Sequence, residues 1–123
     1  MYFEIDDYNA LEQALHQLCV RLEAAQAPEQ AVFDSKLVAC ELLSNVLQHG
    51  GQRAYFSAML EGDILRLRVR GNNGYRPPEK TFCSDVTAEC GRGLFLVDAF
   101  CESREYSERE GICVVIRIRN ERT

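Results

Sequence analysis

The chain has 123 residues, 46% of them hydrophobic and 27% charged, which fits one globular domain with a substantial core. Its net charge of −5 argues against a surface built for direct nucleic-acid binding, because neutralising phosphates requires a basic field. No apolar run is long enough to span a bilayer and the acidic start, MYFEIDD, is unlike a signal peptide, so we expect a single cytoplasmic domain over residues 1–123 with no membrane partner.

The N-terminal part of the sequence predicts a short strand and a first helix. The strand is YFEI, residues 2–5. Asn9 followed by Glu12 resembles a capping box, in which Asn9 would be the N-cap. Leucines at positions 11, 15, 18 and 22 then form a stripe at helical spacing that ends near Ala25.

A second helix is predicted from Pro28-Glu29 to Gln48 or His49, where a glycine pair follows. At 100° per residue, its leucines and valines share one arc, which we expect to lie on a sheet, and its polar residues share another. Taken alone, a polar arc is what any amphipathic surface helix shows. The polar arc consists of Asp34, Glu41, Ser44, Asn45, Gln48 and His49.

In the rest of the chain, apolar and polar residues alternate as in β-strands, and one long loop interrupts this pattern. Residues 54–60 and 64–70 form a predicted hairpin, GNNG at 71–74 ends its second strand, and a loop extends to about Cys90. GLFLVDAF, residues 93–100, predicts a short helix, and two strands follow, near 103–107 and after a turn at Gly111. Helices on one face of a mostly antiparallel mixed sheet predict an α+β two-layer sandwich.

The six cysteines do not indicate a disulfide framework or a zinc site. Four of them lie inside apolar helix or strand patterns, where free cysteine behaves as a small hydrophobe, and no CxxC pair occurs. Cys83 and Cys90 lie in the long loop, where oxidation would pair them, although two reduced thiols are the simpler expectation.

Two motifs carry a resemblance to a known family. ELLSNVLQH, residues 41–49, matches the pattern E-x-x-x-N-x-x-x-H, and GRGLFLV, residues 91–97, places two glycines before a helix, where backbone N–H groups can approach an anion. They resemble the N-box and second glycine box of the ATP-binding domain of histidine kinases, gyrase-type ATPases and Hsp90-type chaperones, and in particular the bacterial anti-sigma factor serine kinases. The resemblance implies a Bergerat-type ATP-binding fold.

The resemblance also implies roles for individual residues. Asn45 would hold a Mg²⁺ that bridges the phosphates of ATP, Glu41 would be the general base for a protein serine, and His49 would border the nucleotide. Residues 76–90 would form a mobile lid. The phosphate-binding residues would be Gly91, Arg92, Gly93 and Leu94.

The sequence departs from the family at the first glycine box, D-x-G-x-G, whose aspartate accepts a hydrogen bond from the adenine amino group. In VRGNNGYRPP, one register aligns Arg70 with that aspartate and another aligns Gly71. Strand parity favours Gly71, because apolar residues 65, 67 and 69 point to the helix-covered side. Neither register supplies a carboxylate. An amide oxygen of Asn72 or Asn73, in the loop that ends at Gly74, is a weaker substitute, which would cost about 1.5–3 kcal/mol, roughly ten- to a hundredfold in affinity.

Three functions therefore stay open. The first is an ATP-dependent protein-serine kinase that phosphorylates a small antagonist protein, sequesters a sigma factor or similar regulator, and forms a homodimer by resemblance to the family. The second is a pseudokinase interaction module with a degenerate nucleotide site. The third is a nucleotide sensor that binds ATP without transferring phosphate.

One further pattern is a set of arginines. Arg66, Arg68 and Arg70 share one face of their strand, and Arg117 and Arg119 share one face of another. If the two strands are neighbours, the open sheet face carries a basic stripe that would suit an acidic partner. A solvated face that discourages edge pairing is the alternative interpretation.

Overall fold

The computed structural model describes residues 1–49, 53–71, 101, 103–107, 109 and 111–118. The predicted loop to Cys90 and the predicted helix over 93–100 lie outside these residues. Within them, the elements follow the predicted order. They are β1 (Tyr2–Ile5), α1 (Tyr8–Ala24), α2 (Glu29–His49), β2 (Ala54–Glu61), β3 (Ile64–Gly71), β4 (Ser103–Ser107) and β5 (Gly111–Arg117).

The five strands form one sheet in the order β1-β2-β3-β5-β4. Every neighbouring pair among these described strands is antiparallel, so the predicted mostly antiparallel sheet is confirmed. The register places Phe56 opposite Val69, and Leu67 opposite both Ala58 and Val114. Because residues opposite each other share a face, the apolar side chains of the three central strands form one continuous layer.

Both helices cover that apolar layer, which makes the predicted α+β two-layer sandwich. Helix α1 contacts β1, and α2 contacts β2 and β3. The helical leucine stripe of α1 is buried, as predicted. The largest fully buried side chains come from both layers: Phe56, Ile5, Leu18, Leu22, Leu42, Leu43, Leu65, Leu67 and Ile112. Neither described helix is long and apolar enough to cross a membrane.

Local hydrogen bonds determine where helix α1 begins and ends. Its N-cap is Asp7, whose carboxylate accepts a hydrogen bond of 2.7 Å from the Ala10 N–H, so the prediction of Asn9 as N-cap is wrong. Asparagine and aspartate cap equally well, and the helix begins two residues earlier than the Asn9–Glu12 pattern indicates. At the other end Gln26 adopts φ 62°, and Ala27 donates to the Leu22 carbonyl, which completes a Schellman motif.

Candidate functional site

The polar residues of α2 differ in burial, although the sequence places them on one arc. Asn45 is only 5% exposed, Glu41 and Ser44 are half-buried, and Gln48 is exposed. Asn45 comes three positions after Leu42 and one before Val46, so it lies near both around the helix. Packing on β2 and β3 therefore draws Asn45 into the helix–sheet interface, which the 100° rule alone does not predict.

The amide of Asn45 is the most informative polar group of this interface. Its Nδ2 atom is buried and has no hydrogen-bond partner in the described part of the protein. Leaving a buried donor unpaired costs about 1–3 kcal/mol, so native proteins rarely keep one without a reason. An amide N–H group that is buried without a partner among the described residues is able to donate a hydrogen bond to an acceptor on a bound ligand.

Ser35 is a second unpaired polar group on α2, and the sequence analysis missed it. Its Oγ atom is fully buried with no hydrogen-bond partner among the described residues. The available signal was a serine between the apolar positions Val32 and Val38. Ten residues separate Ser35 from Asn45, which is about 15 Å along a helix, so Ser35 lies outside the candidate site.

Glu41 lies one helical turn before Asn45. At this spacing the Cβ atoms are neighbours on the helix surface, about 5–6 Å apart. The half-buried position of Glu41 places its carboxylate at the border between the dry interface and water. A carboxylate at such a border can accept a proton from a bound group and release it to solvent, as a general base must.

The chain path brings the end of α2 to the edge of the sheet where Gly71 lies. His49 is the last residue of α2, and Ala54, which begins β2, pairs with Gly71. The five peptide links from His49 to Ala54 span at most about 18 Å. The C-terminal part of α2 and the end of β3 therefore lie toward the same end of the molecule. The side chain of His49 lies outside the description.

The strand-parity prediction at the first glycine box is confirmed. Gly71 is buried on the helix-covered side of β3, whereas Arg70 is exposed and its guanidinium lies 4.7 Å from the centre of the Tyr55 ring. A side chain at position 71 would therefore enter the interface that contains Asn45, and one at position 70 would not. The role of Gly71 in ligand binding stays a prediction.

Seven predicted site residues lie outside the described residues, so their distance from Asn45 and Glu41 stays untested. They are Asn72, Asn73, Gly74, Gly91, Arg92, Gly93 and Leu94. Within the described ranges, no group of three or more His, Cys, Asp or Glu side chains is placed to hold a metal ion. Mg²⁺ usually keeps few protein ligands and takes the rest from phosphate and water oxygens, so a single asparagine oxygen fits that pattern.

Comparison with protein families gives a match over most of the chain. The model described as the histidine kinase-like ATPase domain matches residues 6–118, a span that contains Glu41, Asn45 and Gly71. A comparison with curated proteins gives no match.

Proposed function

Because the chain belongs to the histidine kinase-like ATPase domain family, we propose that it is a regulatory ATP-binding domain that acts as a protein-serine kinase of the anti-sigma type. The observation that supports the proposal is the amide of Asn45 within the N-box pattern, which is buried and whose Nδ2 atom has no partner among the described residues. A phosphate oxygen of a nucleotide would accept a hydrogen bond from Nδ2 and leave the amide oxygen for the metal ion.

Each residue has a chemical task in this proposal. Asn45 would hold a Mg²⁺ ion through its amide oxygen, and the ion would neutralise charge on the phosphates of ATP. Glu41 accepts the proton of a serine hydroxyl of the protein substrate. The serine oxygen bonds to the γ-phosphorus, the bond from that phosphorus to ADP breaks, and ADP leaves with the electron pair. Positioning and electrostatic stabilisation provide most of the catalysis in such transfers.

The partners in this proposal are proteins. The phosphorylated serine belongs to a small antagonist protein, and the regulated target is a sigma factor or a similar regulator. The support is the resemblance of ELLSNVLQH and GRGLFLV to the motifs of the anti-sigma kinases.

The substitution Glu41→Gln tests the kinase proposal. It keeps the size of the side chain and removes the base, so we expect ADP release from ATP to fall about 100-fold while ATP affinity changes less than about twofold. Asp34→Asn is the matched control, because Asp34 is another half-buried carboxylate of α2, two turns away, that accepts a hydrogen bond from Gln30. Equal turnover by the Glu41 variant and the wild type would contradict the role of Glu41.

A second candidate is a pseudokinase, and the observation that favours it is Gly71. The family places a carboxylate at this inward position to bind adenine, and the chain has only a hydrogen atom there. Calorimetry of ATP binding to the wild type and to Gly71→Asp separates the candidates. The pseudokinase account expects binding only by the variant. Tight binding by the wild type that Gly71→Asp weakens would refute it.

A further inference from the structure

The face of the sheet opposite the helices carries a row of arginines. Alternation along β3 turns Arg66, Arg68 and Arg70 to this face, and β5, the neighbour of β3, adds Arg117 opposite Ile64. All four side chains are exposed. These four residues are called the arginine face below. The two arginine-bearing strands β3 and β5 are thus neighbours, which the sequence alone left open. Arg119 lies outside the described residues.

Apolar and aromatic side chains surround these cations. Tyr2 and Met59 are each 58% exposed, and the register places both on the same side of the sheet as the arginines. Tyr55 lies under Arg70, and Val115 is half-buried opposite Arg66. Arginine, tyrosine and methionine are the residue types enriched in protein interfaces, where they combine apolar contact with directed hydrogen bonds.

Among the residues that the structure describes, the acidic side chains of this side lie at its margins. Glu4 is on the edge strand β1, Glu61 ends β2 next to the hairpin turn, and Glu105 is on the opposite edge strand β4. The centre of the sheet is therefore basic in a protein whose net charge is −5. This distribution favours an acidic group over the centre of the face.

We propose that the arginine face docks an extended acidic segment of a partner protein, with carboxylates at alternate residues. Alternate side chains of a strand are about 6.8 Å apart, so a segment lying along β3 matches Arg66, Arg68 and Arg70 one carboxylate at a time. Each guanidinium can donate two parallel hydrogen bonds to a carboxylate. A second copy of the chain docked with its arginines directly against these arginines would bring like charges together, which favours an acidic partner over that arrangement.

The contacts of Arg66 and Arg70 are compatible with this docking. Arg66 donates to Glu61 at 3.0 Å, and both side chains are at least half exposed. Exposed pairs of this kind contribute little to stability, so a partner carboxylate can replace Glu61. Arg70 lies against Tyr55, which limits its motion and leaves its edge available for hydrogen bonds.

The experiment is a titration of the full-length ¹⁵N-labelled protein, without nucleotide, with a short capped peptide in which glutamate alternates with threonine. Amide chemical shifts report where the peptide binds. The same peptide with glutamine in place of glutamate tests the need for charge. The β3 variant combines Arg66→Gln, Arg68→Gln and Arg70→Gln. The control variant combines Arg21→Gln and Lys36→Glu, which together change the net charge equally at exposed positions of the two helices, on the other side of the sheet.

We expect the chemical-shift changes to centre on β3 and β5. The peptide should bind at least tenfold more weakly to the β3 variant, and also to the wild type in high salt, whereas the control variant should bind it as tightly as the wild type. The glutamine peptide should not bind. Circular dichroism should show both variants folded. Shifts centred on the helices, or equal losses in both variants, would overturn the proposal. If duplex DNA bound to the same face more tightly than the peptide, the proposal of an acidic protein segment would be overturned in favour of nucleic acid. Because no nucleotide is present, failure here leaves the ATP proposal untouched.

Discussion

Asn45 is the residue on which the proposed site depends most. Its amide is buried and its Nδ2 donor has no partner among the described residues, an arrangement that lowers stability when nothing else pairs with the donor. Functional residues often lower the stability of a protein in this way, because a polar group that must bind a ligand cannot also form a hydrogen bond within the protein. The same reasoning predicts that removing the amide makes the protein more stable and removes its function.

The variant Asn45→Leu tests this trade-off. We expect the free energy of unfolding in urea to rise by about 1–3 kcal/mol, because an unpaired polar group is replaced by an apolar one of similar size. ATP binding should be lost. Ser35→Ala is the matched control, since it removes a buried hydroxyl of α2 that also has no partner in the described part of the chain, and should add about 1 kcal/mol without changing ATP binding. A destabilised Asn45→Leu protein would show that the amide is structurally satisfied.

Cys19 offers a prediction about pH. Burial raises the pKa of its thiol, Lys36 opposes this shift and Glu23 adds to it. The thiol lines an open groove of about 680 Å³ between α1 and α2, so a small reagent can reach it. A raised pKa means less thiolate at a given pH, and only the thiolate reacts.

We therefore expect iodoacetamide to modify Cys19 more slowly at pH 8 than it modifies cysteine in an unstructured peptide. The rate should reach half its maximum at a higher pH than in the peptide. Peptide-level mass spectrometry of timed samples measures both quantities. A half-maximal pH equal to or lower than that of the free peptide would contradict the account.

Among the elements, β5 depends on a glycine at its start. Gly111 has φ 80°, and a Cβ atom there would overlap the Val69 carbonyl oxygen and lie 2.8 Å from the Cα atom of Arg70. Both obstacles are backbone atoms of β3, which cannot move aside without breaking the ladder. The close approach of β5 to β3 therefore requires glycine at this position.

Gly111→Ala should lower the free energy of unfolding by about 2–5 kcal/mol, combining backbone strain with overpacking. Gly62→Ala is the control, because Gly62 has φ 60° but open space around its Cβ position, and should cost only about 1–2 kcal/mol. Urea denaturation of both variants measures the difference. Equal losses would show that strain alone acts at Gly111.

The sequence predicts the elements well because each depends on neighbouring residues. Alternation along β3 correctly assigned Arg70 to the solvent and Gly71 to the interior. Helix burial was harder to predict, because Asn45 lies at the border of two arcs and the width of the contact with the sheet decides its environment. The cap at Asp7 was missed because Asp7 and Asn9 have nearly equal capping chemistry.

At the scale of the whole molecule, the strand order was not predictable from local pattern. The insertion of β5 between β3 and β4 pairs residues far apart in sequence, and alternation alone does not specify the partner of a strand. That order places Arg117 beside the β3 arginines and gives the two faces of the sheet different surroundings. One face holds Asn45 and the end of β3 under the helices, and the other presents the arginine face.

The whole account rests on nucleotide binding by this end of the molecule, and isothermal calorimetry of ATP with Mg²⁺ measures it directly. The account predicts saturable binding of Mg²⁺-ATP to the wild type with submillimolar affinity, weakened when Mg²⁺ is removed and absent in Asn45→Leu. No binding heat from the wild type at millimolar ATP, or equal binding by the wild type and Asn45→Leu, would contradict it.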